Sequence, residues 1–164
     1  MFVYSVRAST IKFFAVLVLS IIGMLLLLSL GSDAAVYASV DGIDVNYGGI
    51  KTADDRVAFL ESQGLKVKSE PLTEENYTMP DDFDRVISGY NEIQKAQGLD
   101  LGKYKGRRIT HYAYEVTNYD YDGVVIANML VYRGRIIALD LSSTEGEGFV
   151  SVIVGLDKSK LKSE

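Results

Sequence analysis

Twenty consecutive residues without a charge, opening at Phe13 and closing at Ser32, constrain this chain more than any other feature. Most are Leu, Ile, Val or Phe. As a helix they would cover about 30 Å, the hydrocarbon thickness of a bilayer, and a helix satisfies its own backbone polar groups where no water can. Ser20, Gly23 and Ser29 are small enough not to spoil the run. The segment has no polar face, which argues against a helix lying on a soluble core. Arg7 and Lys12 precede it, whereas Asp33, Asp41 and Asp44 follow before any Lys or Arg. The positive-inside rule then keeps the N-terminus in the cytoplasm and sends the remaining chain across. A cleaved signal peptide is the competing reading, with secretion after cleavage near Ala38. Against it, the run exceeds the usual apolar region of about 7–15 residues.

The expected organisation is a cytoplasmic N-terminus (1–12), a transmembrane signal anchor (13–32), a tether that can carry a first strand (33–50), an extracytoplasmic α+β domain (51–156) and a charged tail (157–164). The domain is long enough for a single core. The net charge of −5 disfavours nucleic acid as a partner. Without cysteine there is no disulfide framework, thiolate nucleophile or zinc–thiolate site.

Thr52 and Asp55 have the spacing of a capping box, Ala53, Val57 and Leu60 share a helical face, and Gly64 suits the helix end. Residues 65–68 alternate as a half-buried strand would. Residues 71–80 read as an acidic connector. Asp81 or Asp82 then caps a second helix carrying Phe83, Val86, Ile87, Tyr90 and Ile93, which ends at Gly98. Beyond it, 109–117, 123–132 and 135–141 read as strands, with 149–154 as a further one, and 157–164 as a frayed tail. Helices first and a meander of strands afterwards predict an antiparallel sheet with two helices packed on one face.

Three ordered stretches, KTADDRVAFLESQGLKV from Lys51, FDRVISGYNEIQKAQGLDLGKYK from Phe83 and YAYEVTNYDYDGVVIANMLVYRGRIIALDL from Tyr112, together with VRASTIKFFAVLVLS near the start, resemble a family of clostridial and related bacteria catalogued as domain of unknown function 4830. The resemblance implies a bacterial envelope protein with an N-terminal anchor. It carries no activity and no functional residue.

Candidate sites are few. Asn118, Asp120, Asp122 and Gly123 match the opening of a calcium loop, but its twelfth position is Met129 instead of Glu, and turn chemistry alone accounts for the same residues. A second partial match from Asp44 through Asn46 to Asp55 lacks an oxygen side chain at its fifth position. His111, the only histidine, cannot build a multi-histidine zinc site and reads first as an ordinary strand residue. Lys103, Lys105, Arg107 and Arg108 form a basic patch that could meet anionic lipid or wall polymer, or simply be a solvated loop opposite the acidic connector. Tyr112, Tyr114 and Tyr119 to Tyr121 could form an aromatic ridge or pack in the core. There is no nucleophile elbow, phosphate-cradling loop or zincin motif.

These readings predict no resident cofactor, calcium being the one candidate, and a non-catalytic binding or sensing module of the cell envelope. Its partners would be membrane lipid along 13–32 and an envelope protein, a peptide or a wall polymer. Two other readings stand beside it: a hydrolase built on carboxylates or His111, and a regulatory partner or inhibitor of another membrane protein.

Overall fold

The computed structural model describes residues 45–162. The predicted membrane span at 13–32, and the tether up to 44, lie outside the described residues. Among the described residues no helix is long and apolar enough to cross a membrane.

Helix α1, Ala53–Ser62, starts where the sequence places it. Thr52 Oγ1 accepts from the Asp55 N–H at 3.1 Å, and the Asp55 carboxylate accepts from the N–H of Thr52 at 2.8 Å and of Lys51 at 2.9 Å. These bonds satisfy donors that the first helical turn leaves without partners. Gly64, at φ +93°, turns the chain off the helix, with the Leu65 N–H returning to Leu60 O.

The stretch read as a connector is instead strand β1, Thr73–Thr78, antiparallel to strand β2, Arg108–Val116. Its exposure alternates residue by residue, and only Tyr77 supplies apolar bulk. An edge strand has one neighbour and can be charged, so hydrophobic patterning does not reveal it. Helix α2, Arg85–Lys95, is capped by Asp84, whose Oδ1 accepts from the Ile87 N–H at 2.8 Å, and not by Asp81 or Asp82. Phe83 stays outside the helix and packs, partly buried, against the apolar cluster that includes Met79 and Tyr90.

Strands β3, Val125–Tyr132, β4, Arg135–Ser143, and β5, Phe149–Ser151, complete a meander in the spatial order β1-β2-β3-β4-β5, every pair antiparallel. Arg133 (φ 48°) and Gly134 (φ 75°) are both left-handed, as a two-residue hairpin turn requires. Leu130 pairs with Ala138 but Val131 with Ile136, so β4 bulges at Ile137. The bulge lets consecutive residues, Ile137 and Ala138, join one cluster.

The two helices cover opposite faces, not one. Val125, Ala127 and Met129 of β3 point to the face under α1, where Phe59 and Leu60 pack with Tyr114, Leu139 and Leu141. Leu130 of β3 points to the other, where Tyr90 of α2 and Leu101 pack with Ile109, Ile137 and Ala138. Central strands that are apolar on both faces need cover on both. Residues 65–68 make only a bridge, Val67 to Val116, extending the pairing along β2. The tail predicted to fray is pinned through residue 162: Tyr119 bridges Leu161, and Asp120 N and Asn118 O bond Lys160 O and Lys162 N at 2.8 Å each.

Candidate functional site

Polar side chains at matching register positions of three strands converge under α2. The register sets His111 of β2 beside Leu130, Ala113 beside Asn128, and Asn128 of β3 beside Asp140 of β4. Side chains two apart share a face, so His111, Asn128 and Asp140 run as a row across the sheet. Asn128 is its hub. Its Nδ2 donates to Asp140 Oδ2 at 2.8 Å and to Ser142 Oγ at 2.9 Å, and its Oδ1 lies 3.0 Å from His111 Nε2. With the amide so oriented, Nε2 carries the imidazole hydrogen and donates it. From above, the Tyr90 hydroxyl of α2 donates to Asp140 Oδ1 at 3.1 Å.

Burial sets the electrostatics. It pushes the Asp140 carboxyl up to about 6, while the bonds from Asn128 and Tyr90 pull the other way. Burial also raises the Tyr77 and Tyr90 hydroxyls, with the Asp140 charge adding to it. It lowers His111, against the Asn128 bond and the charge of Glu75. A carboxyl near neutrality linked through an amide to an imidazole is a proton-handling arrangement in composition. In geometry it is closed: Asp140 is 6 % exposed and His111 9 %. Ser142 Oγ meets the Asn128 amide and not the imidazole, so no base activates it. A cleft of about 530 Å³ lies elsewhere, between the end of α1 and residues 153–158, lined by Phe59, Gln63, Ile153, Leu156 and Lys158 among others.

A second arrangement sits under α1. Arg56 is 7 % exposed, its Nε donates to the Tyr114 hydroxyl at 2.7 Å, and its guanidinium carbon lies 3.8 Å from the centre of the Tyr112 ring. Tyr112 and Tyr114 thus form the alternate-tyrosine pair, Tyr114 wholly buried and Tyr112 half-buried. Tyr119 and Tyr121 pack instead around Phe149, at ring separations of 5.4 and 4.9 Å.

The other candidates stay apart. Asn118 braces the chain, its Oδ1 accepting from Lys66 N at 2.8 Å and its Nδ2 donating to Gly64 O at 2.9 Å. Asp120 lies 3.8 Å from Lys162 Nζ, and Asp122 is exposed. Among the described residues no group of three or more metal-ligating side chains comes together. In the second partial loop Asp44 lies outside the described residues, Asn46 Oδ1 holds Gly48 N at 3.0 Å, and Asp55 caps α1. Lys103, Lys105, Arg107 and Arg108 are all exposed, with Lys105 Nζ 4.8 Å from the Phe83 ring centre. The Asp81 carboxylate sits beside Gly106 in their midst.

Glu115, four residues along β2 from His111 and so on the same face, pairs with Lys68 at 2.7 Å. Asp140 and Asn128 escape sequence reasoning as site residues, and Tyr90 is read there only as part of an apolar helix face. The available signal was Asp140 itself, a carboxylate inside the apolar run Ile136 to Leu141.

The model of one family, a domain of unknown function (DUF4830), matches residues 59–141, about half of the chain. No curated protein and no solved structure matches.

Proposed function

Since the chain belongs to the DUF4830 family, whose description carries no activity, we propose from its leading apolar run and its geometry that it is an anchored extracytoplasmic module that binds a partner and performs no chemistry. The observation that carries the second half is the closure of the one histidine–carboxylate constellation. His111, Asn128, Asp140, Ser142 and Tyr90 bond one another beneath α2, and none of them lines the described cleft. A catalytic group must reach a substrate atom within hydrogen-bond distance or through one water. The first half rests on residues 13–32 and the charges flanking them.

The absence of cysteine makes topology directly measurable. Leu72, 54 % exposed, is a suitable reporter position. In intact cells a membrane-impermeant maleimide should label Leu72→Cys, and should label Ser9→Cys only after lysis. The reverse pattern would reject the orientation, and a chain that fractionates without the membrane would reject the anchor.

One observation favours a second reading, an envelope hydrolase: the Asp140 carboxyl, raised to about 6, is poised as an acid–base group. Turnover at enzyme-like rates, lost in both Asp140→Asn and His111→Gln with the fold intact, would establish that reading in place of the first.

A further inference from the structure

We infer that Arg56 and the face of Tyr112 form a receptor for a carboxylate group, which gives the binding module its ligand class and rests on that reading. Three observations meet here. Arg56 is more than nine-tenths buried, yet among the described residues no carboxylate lies within ion-pair distance of it. Its Nε is engaged by the Tyr114 hydroxyl and its guanidinium carbon sits over the Tyr112 ring. Its two Nη nitrogens make no hydrogen bond to a described residue, and neither is a buried atom without a partner, so both reach water.

A guanidinium fixed in this way offers a defined recognition edge. With Nε committed, the Nη pair remains, and two parallel N–H donors match the two oxygens of a carboxylate. The side chain's rotamer freedom has already been given up in folding, so little more is lost on binding. Packing on Tyr112 explains the stem and the ring contact, but it does not account for two terminal donors that face water with no protein acceptor. The neighbouring charges select among anions. Glu74 is the register partner of Tyr112 on the same sheet face. A single guanidinium with one carboxylate across the register from the Tyr112 ring suits a singly charged ligand and disfavours a dianionic phosphate. The carboxylate can belong to a small organic acid or to a peptide terminus, both of which carry the same two oxygens.

The test is a titration of the full chain in neutral detergent, ¹⁵N-labelled at arginine, observing the guanidinium resonances at constant ionic strength. Sodium acetate should shift the Arg56 signals saturably, with half-saturation on the order of 10 mM for two charge-assisted bonds, while sodium chloride and the exposed Arg107 and Arg108 serve as controls. Arg56→Lys should weaken binding about 10-fold by removing the fork, and Glu74→Gln should tighten it several-fold. A tripeptide with a free C-terminus should bind and its amide should not; tighter binding than acetate identifies a peptide source, equal binding a free acid. No saturable shift with acetate, the same shift with chloride, or tighter binding of phosphate would each overturn the inference. The cysteine-labelling result is independent of all of these, so a failed titration leaves the topology standing.

Discussion

Asp140 binds its proton more tightly in the folded chain, at about 6, than at the ordinary value of 3.8, because burial penalises its charge. Between those values the native state holds more protons than the unfolded one, so stability falls as pH rises through this window, by roughly 3 kcal/mol if the whole shift is realised. His111 acts oppositely. Burial lowers it from 6.5, so charging it opposes folding and stability rises as pH climbs toward 6.5. The groups facing Asp140 are Tyr90 from α2 and Tyr77 from β1, with His111 reached through Asn128 and Glu75 beside it. Asp140→Asn should remove the falling limb. Its urea midpoint should then rise from about pH 4.5 to 6.5, where that of the unaltered chain stays level or falls. Parallel curves for the two proteins would show that Asp140 does not titrate in this window. Gln97 is the other residue on which much depends. Its Nε2 donates to Leu139 O at 2.7 Å, and its Oε1 accepts from Ile153 N at 2.9 Å and Val154 N at 3.0 Å. Gln94 Oε1 takes the Leu139 N–H at 2.8 Å, so two glutamines replace a strand where β5 has left the edge of β4. Gln97→Leu strands three buried backbone groups and should cost at least about 3 kcal/mol in a denaturation midpoint.

At the level of elements, α1 depends on its cap. Removing the Thr52 hydroxyl leaves the Asp55 N–H without its acceptor, so Thr52→Ala should cost about 1 kcal/mol, and Thr52→Ser should restore most of it. This helix was legible because its signals are local: a hydroxyl and a carboxylate three residues apart, an apolar face, and a glycine at the end. The hairpin at Arg133–Gly134 was legible for the same reason. Strand β1 was not, because its place in the sheet comes from β2 and little in Thr-Glu-Glu-Asn-Tyr-Thr announces it. The start of α2 is harder to read because three aspartates, at 81, 82 and 84, offer the same capping carboxylate, and only Asp84 stands three residues before the N–H it accepts from, that of Ile87. The polar row under α2 was hidden more deeply. Asn128 and Asp140 become neighbours only when the register of β3 against β4 is fixed, and a one-residue slip would put them on opposite faces.

Over the whole described domain, the segments at its two ends, before α1 and after β5, close the same side of the sheet. Tyr47 and Ile50 before α1, and Ile153, Val154 and Leu161 after β5, all join the cluster that α1 covers, whereas the opposite face is closed by α2 and the turn after it. The α1 face is therefore assembled from segments far apart in sequence, and its last piece is the charged tail. Leu161 lies against the turn after α1, its Cδ1 3.2 Å from where a Cβ on Gly64 would stand, and its backbone bridges Tyr119. Composition suggested solvent for this tail because five of residues 157–162 are charged or polar, but one leucine and a pair of backbone bonds are enough to hold it. Ending the chain after Leu156 should remove that half-buried side chain and leave the backbone of residues 118–120 without its partners. The expected loss is about 2 kcal/mol, read as a lower midpoint of the tyrosine near-ultraviolet signal on heating. Leu161→Ala alone should lose roughly half as much, since it keeps the backbone bridge. An unchanged midpoint on truncation would mean that the domain ends at β5 and that the tail contributes nothing to the face beneath α1.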